Sequence, residues 1–585
     1  MGELRNLRDA FAVKLSGYVN DTMLRFASQL GFIVNTGVSL PSLNNDSASS
    51  LGVSGSPGNG STTTTTAGGG VGGTLEKNKK HSLIISNSFH VASEVYATQR
   101  TGLLQLAPLI GNWLQTNRKD LYIEIKRMYV KKSQSFFRRQ IQEVLKFTED
   151  SIRALVRPSK AKDSQRLDNM PSDVGSVMSL QVSDSSFLSQ VENIFDNCFD
   201  KILTVIRTEQ AFVNQFFGFN LHPPSDKSPN THKVYSGDEL PSLLDCMFQL
   251  FDGVEQDVLN LVVNCEQLLT ILIMPLLISI SRITENESAQ NSGIVEMTGG
   301  NPKQLQSQQS ASSDVTKVQV TFIGNFLSRL IVETKRAFNR LIERLIMTFK
   351  MSKPSRKARC GILTIVRTYI EFAECSITVF ATSSRLVDLE RAHGELVRSL
   401  MTEIDRVASE SFKTPGEVVQ LENYHRLCDI LRRLKMSGLD EYRQDAKNRY
   451  TLALQEYTKN CMGRPLEKLA SFFENVQSAL EAGVRPEVVS YQFAFSKQEL
   501  RKVIKEYPGK EVKRGLESLC KKVEKHLSDE ENLFPVVWRS IQTEFMTQCL
   551  RFSNLIQQCY PDSGICLEFT VNDLQNYFAE IARSR

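Results

Sequence analysis

The chain of 585 residues carries 70 basic and 65 acidic side chains, a net charge of +5, and 41% of its residues are hydrophobic. That length allows roughly four domains of ordinary size, with apolar material for several cores. The near-balanced charge excludes a basic stripe of the kind that dominates a nucleic-acid-binding domain, so only local clusters can point to anionic partners.

Residues 1–15 (MGELRNLRDAFAVKL) mix charged and apolar residues at helical spacing, which predicts a helix within 1–40 and no secretory leader. Gly2 is not set up for myristoylation, because Asn6 stands where Ser or Thr is needed. Residues 41–80 are a Ser/Thr/Gly run almost without large apolar groups, expected to remain a disordered insert. The tract GNGSTTTTTAGGG inside it lacks the Gly-Lys-Ser/Thr ending of a phosphate loop. A helical bundle is expected over 81–283, interrupted by a Ser/Asp/Lys-rich tract near 157–186 and a proline-bearing one near 221–240. Within it Phe187, Val191, Ile194, Cys198, Ile202, Val205 and Phe212 form a helical stripe. The most apolar run, Leu268 to Ile280, is short of the ~20 residues a membrane span needs and holds Pro275, so it reads as a buried core helix. Residues 284–316, rich in Gln, Ser, Asn and Gly, read as a linker. A second bundle is expected over 317–461, with Ile323, Phe326, Leu330, Phe338, Leu341, Leu345 and Phe349 on one face.

The last segment, 462–585, is expected to be a third bundle able to fold by itself. Pro465 opens a helix with Leu466, Leu469, Phe473, Val476 and Leu480 inward, ending at Gly483. Val488 to Phe495 is a connector. Ser496 with Glu499 reads as a capping box for a helix carrying Leu500, Val503, Ile504 and Tyr507. After Pro508-Gly509 a third helix aligns Val512, Leu516, Leu519, Val523 and Leu527. A fourth, entering near Pro535, aligns Phe534, Trp538, Ile541, Phe545, Cys549, Phe552 and Leu555. A fifth, after Thr570, carries Val571, Leu574, Phe578 and Ile581. Short connections between one-faced helices imply antiparallel packing.

Catalytic chemistry finds no purchase. The 11 cysteines and 7 histidines are scattered, without a C-x-x-C pair, and the cysteines read as small core hydrophobes of a reduced, cytosolic chain. His425 and Cys428 lie three apart on a helix, but two ligands do not make a zinc site. No cofactor is expected, and no hydrolase, kinase or metalloprotease signature is present. Three basic clusters are the candidate contacts for anionic lipid or an acidic partner. The first is Lys126, Arg127, Lys131, Lys132, Arg138 and Arg139, interleaved with Tyr129, Phe136 and Phe137. The second is the acid-free loop Lys350, Lys353, Arg356, Lys357 and Arg359. The third runs from Lys497 to Lys525, where Lys513, Glu517 and Lys521 stand four apart and can pair with one another.

The strings GRPLEKLASFFENV (463–476), VSYQFAFSKQELRKVIKEYPGKEVKRGLESL (489–519), KKVEKHLSDEENL (521–533) and CYPDSGICLEFTVNDL (559–574) resemble the C-terminal end of the Sec-three family of exocyst subunits (exocyst complex component one). Weaker echoes are SRKARCGIL (355–363), FKTPGEVVQLENYHRL (412–427) and LRDAFAVKL (7–15). The resemblance implies an all-α fold of serial antiparallel bundles forming an elongated rod. It also implies a non-enzymatic role in holding secretory vesicles at the plasma membrane before fusion. The implied partners are other exocyst subunits, with small GTPases, fusion-machinery proteins and anionic membrane lipids as further candidates and no nucleic acid. The implied location is cytoplasmic, peripheral at the plasma membrane and at vesicle docking sites. The alternative drawn from the residues is a peripheral helical protein that binds anionic lipid through its basic clusters. Members of the family carry, ahead of the matched region, a pleckstrin-like domain for lipid and Rho-type GTPases and an assembly coiled coil. This sequence resembles one that starts in the middle of such a protein, as a fragment, short isoform or incomplete gene model would. Phosphoinositide and GTPase binding by that domain are therefore not carried over.

Overall fold

The computed structural model describes residues 2–36, 100–156, 185–219, 242–296, 321–354, 359–381, 383–462, 465–528 and 532–583. Among these there is helix and turn but no strand, as the 3.6-residue periodicity requires. The inserts expected at 41–80 and 221–240 lie outside the described residues, as does nearly all of 157–186. The chain forms two compact units.

The first unit comprises Met1–Leu155, Asn193–Cys265 and Ile283–Glu333. Its elements are α1 (Gly2–Thr36), a π-helical turn at Pro108–Leu114, α2 (Lys119–Val156) and most of α3 (Ser185–Phe217). It also takes in α4 (Leu243–Leu250), most of α5 (Val254–Leu268), the later part of α6 (Ile273–Glu296) and the start of α7 (Phe322–Lys350). Aromatic rings fill the space between α2 and α3: Tyr129 lies 5.8 Å from both Phe212 and Phe217, and Phe216 lies 4.9 Å from Phe217. The Tyr122 hydroxyl donates to the Phe217 carbonyl at 3.0 Å. Glycine is required where α3 ends against the π turn. Gly218 has φ +69°, and a Cβ on Gly111 would sit 3.0 Å from the Gly218 Cα. Deep in the unit, the Glu209 carboxylate is met by Arg100 and by the donating hydroxyl of Tyr129. Removing one member of such a buried pair leaves an uncompensated charge, which costs about 3–5 kcal/mol.

The second unit holds Val156–Glu192, Glu266–Arg282 and Thr334–Arg585. The apolar run behaves as the sequence predicts, with one refinement. It is not a single helix, because a 3-10 turn at Thr270–Leu272 precedes α6 and places Pro275 in the first helical turn, where its missing N–H costs nothing. Every residue from Leu269 to Ser281 is buried. Glu266 is clasped by Arg340 through two hydrogen bonds (3.0 and 2.7 Å) and by Arg344 at 2.8 Å, which holds its carboxyl below the usual range. α8 (Thr364–Phe380) and α9 (Leu386–Ser409) enclose His393, bonded to Tyr369 through Nδ1 at 3.2 Å and to Ser376 through Nε2 at 3.1 Å. Burial pulls this imidazole down to about 4, so it is a neutral core residue at physiological pH.

The rest of the unit is α10 (Gly416–Leu434), α11 (Asp440–Met462), α12 (Glu467–Glu481), α13 (Lys497–Lys505), α14 (Gly509–His526), α15 (Phe534–Cys559) and α16 (Val571–Arg583). The helix starts follow the sequence signals. Glu499 N–H donates to the Ser496 hydroxyl, one half of the expected capping box, while Thr570 and Asp573 form a reciprocal capping box ahead of α16. Gly483, at φ +94°, ends α12. The α15 stripe is buried along its length: Phe552 stacks on Phe473 of α12 at 4.8 Å, and Trp538 and Phe545 meet Phe578 of α16 at 5.1 and 5.9 Å.

Two expected boundaries do not survive. The linker placed at 284–316 is helical as far as Glu296, the remainder to 320 lying outside the described residues. The terminal bundle does not close at 462, because Val418, Leu421, Ala453, Tyr457 and Cys461 of α10 and α11 belong to the same buried core. Composition marks where a chain cannot pack; it does not mark where one core stops. We therefore expect a recombinant piece covering 462–585 to melt at a lower temperature than one covering 412–585, with cooperative unfolding by circular dichroism in the longer piece. Trp538 is 6% exposed and stacked on Phe534 at 5.9 Å. Trp538→Ala should lower stability by about 3–5 kcal/mol in urea titrations, the range for large aromatic truncations in cores.

Candidate interaction surfaces

The first basic cluster is divided between faces of α2 rather than gathered into a patch. Residues 127, 131 and 138 share a helical face, whereas 126 points roughly a third of a turn away. Lys126 is only 4% exposed, with Nζ 4.3 Å above the centre of the Phe219 ring. Burial pulls its ammonium down to about 8, partly offset by Cys246 and Asp245. Arg138 grips Asp257 of α5 at 2.9 and 3.2 Å, and Lys132 donates to Asn20 of α1 at 2.8 Å. These three cations hold the first unit together, which corrects their reading as contact residues. Of the interleaved aromatics, Tyr129 and Phe137 are buried. Arg127, Lys131 and Arg139 remain on the surface.

In the second cluster Arg356 and Lys357 lie outside the described residues, and Lys353 is exposed. Arg359 has a structural partner that the sequence did not announce. Its Nη1 donates to the carbonyls of Leu527 (2.7 Å), Lys525 (3.3 Å) and Glu524 (3.4 Å), closing the C-terminal end of α14. The third cluster is also rearranged. Lys513 pairs with Glu580 of α16 at 2.6 Å, not with Glu517 one turn away, and Lys468 reaches Glu506 at 2.6 Å. Lys521 and Lys525 stand with Arg359 around one cavity, bringing the second and third clusters together.

The sequence reading missed three exposed aromatics. Tyr491 (86% exposed) and Phe493 (93%) project from the connector between α12 and α13, and Phe412 (88%) from the loop between α9 and α10. The connector is firmly seated beneath its exposed rings. Val489 is buried, Phe495 meets the Phe472 ring at 6.0 Å, and the Tyr560 hydroxyl donates to the Phe495 carbonyl at 2.7 Å. A signal was available: connectors are ordinarily polar, and VVSYQFAF between two amphipathic helices is not. Metal chemistry finds no grouping of three or more His, Cys, Asp or Glu among the described residues, and His425 faces the Tyr450 ring at 5.7 Å. No helix among them is long and apolar enough to cross a membrane. Eight of the eleven cysteines are buried, and desolvation raises the Cys198 thiol to about 11 and the Cys549 thiol to about 12.

The family described as "Exocyst complex component Sec3, C-terminal" matches residues 305–562, a span that takes in the strings from 355 to 533 and leaves out LRDAFAVKL at 7–15. Exocyst complex component 1 of Mus musculus is 47% identical over 264 residues, which is 45% of this chain and 30% of the relative. The Drosophila melanogaster protein of the same name is 42% identical over the same length and shares. The chain thus matches under a third of the length of either relative. Among solved structures, S. cerevisiae Exo70 aligns over 99% of this chain and 98% of its own, at 12% identity and a TM-score of 0.40.

The split of the first cluster can be tested by charge reversal. Lys126→Glu would bury a carboxylate against the negative face of Phe219 and beside Asp245, and should destabilise the chain by about 3 kcal/mol or more. Arg127→Glu, on the exposed face, should stay within about 0.5 kcal/mol of the parent. Thermal melts of the two variants side by side read the difference.

Proposed function

We propose that this protein, whose residues 305–562 match the Sec3 C-terminal family of the exocyst, is a non-enzymatic tethering subunit of that complex. The observation that carries the proposal is the 47% identity with the mouse exocyst component across 264 residues. Its work in this reading is to help hold secretory vesicles at the plasma membrane before fusion, from a cytoplasmic, peripheral position. Its direct partners are other exocyst subunits, while small GTPases and fusion-machinery proteins meet the assembled complex.

The chemistry of the second unit suits this role. Long helices presenting one buried stripe each leave their outer faces and connectors free for neighbours, and large aromatics are the side chains that anchor protein interfaces. Tyr491 and Phe493, held out from a seated connector, are the natural anchors for a helix of another subunit.

The test is affinity recovery from cells of the species of origin, using the tagged full chain. Other exocyst subunits should be enriched with the wild type, and Tyr491→Ser/Phe493→Ser should lower their recovery by about tenfold or more, as loss of a hot-spot residue does. Circular dichroism should give the variant the same melting temperature, because neither ring is packed. Failure of the wild-type chain to enrich any exocyst subunit above a mock purification would refute the function. Unchanged recovery in the variant would move the contact elsewhere on the chain.

A further inference from the structure

The cavity at the C-terminal end of α14 is open, about 460 Å³ in volume, and lined by Arg359, Lys521, Glu524 and Lys525. Its cations come from two parts of the chain that the sequence presents as separate clusters. We propose that this cavity binds a phosphate-bearing anion.

Among the described lining residues, three cations stand with one carboxylate. Lys521 and Lys525 stand one turn apart on an exposed face, where like charges repel, and neither has an ion pair among the described residues. Cations near a helix C-terminus are often explained by the helix dipole alone. Here the terminal carbonyls are already met by Arg359 Nη1, so the two lysines exceed what the helix end requires. Those same bonds fix the guanidinium, which keeps its planar fork organised for phosphate oxygens, while the lysines act as point charges beside it. The volume lies within the range of small-ligand clefts and accommodates a phosphorylated ring.

A second element lies next to Arg359 in the chain. Cys360, next to Arg359, donates its N–H to the Thr414 hydroxyl at 3.1 Å, and its thiol lies 3.4 Å from the Ser411 hydroxyl. That pair of contacts ties the segment after Arg359 to the loop bearing the exposed Phe412. An exposed aromatic on a loop tied to the residue after Arg359 suits a headgroup presented on a bilayer, whose interface accommodates amphipathic rings. The shared chemistry is the phosphate group, whether on a lipid or free in solution. The proposal stands independently of the tethering role.

The experiment uses the full 585-residue chain at about 0.15 M salt, where long-range attraction is screened. Inositol hexakisphosphate is titrated calorimetrically. Separately, the chain is floated with phosphatidylcholine vesicles with and without phosphatidylinositol bisphosphate. Binding to either phosphate probe is expected, and Lys521→Glu/Lys525→Glu should weaken it by about tenfold or more, the scale for two basic contacts with an anionic surface. Lys505→Glu/Lys510→Glu changes net charge equally and should leave binding within about twofold, since both residues are exposed away from the cavity lining. Phe412→Ser should weaken flotation alone if the phosphate is on a lipid. Equal titration of Phe412→Ser and wild type, with no flotation, would assign the site to a soluble phosphate. Binding to neither probe, or equal loss in both charge-reversal variants, would overturn the site. Melting curves of all variants confirm that each remains folded.

Discussion

The second unit depends on the burial of one aromatic-rich stripe, that of α15. Phe534, Trp538, Ile541, Phe545, Cys549, Phe552 and Leu555 recur at helical spacing and are all buried. Through Phe473 they engage α12, and through Phe578 they engage α16. The same core reaches Tyr457 and Cys461 of α11. A fully buried large side chain is worth roughly 1.5–3 kcal/mol relative to exposure, so the seven residues of this stripe make a large contribution to the core they share. Neighbouring helices need only offer one apolar face each, which leaves their outer faces unconstrained.

That freedom explains how the charges are distributed. Where a cation lies near an internal gap, packing takes it inward, and Lys126 over Phe219 and Arg100 against Glu209 are the clearest cases. Where it lies near a helix end, it satisfies carbonyls, as Arg359 does for α14. Arg340 and Arg344 converge on Glu266, and Arg138 on Asp257, so several basic residues act as fasteners between helices. Only the remainder is available to a partner. A count of Lys and Arg along the chain therefore overstates the surface that can meet an anion.

The same logic separates the seated part of a connector from its exposed part. Between α12 and α13, Val489 and Phe495 face the core while Tyr491 and Phe493 face solvent. The backbone is held by the Tyr560 hydroxyl on the Phe495 carbonyl, so the two outward rings are presented on a fixed support. Pre-organisation of this kind lowers the entropy lost when a partner docks.

The sequence by itself determined the fold class, the helices of the terminal bundle and most of the residues each turns inward, Val571 excepted, because amphipathic periodicity and capping are local signals carried by neighbours in the chain. It identified the helical character of the 268–280 run and the family resemblance of the C-terminal strings. It did not determine where the cores end: residues 416–462 share their core with the terminal bundle, and α6 runs to Glu296. Nor did it determine the fate of the basic clusters. Lys126 and Arg127 are adjacent and equally charged, yet one is buried and the other exposed, and Arg359 meets α14 across more than 160 residues of chain. Those outcomes turn on which helix lies opposite a given side chain. Long-range packing alone decides that, since burial and pairing depend on neighbours in space.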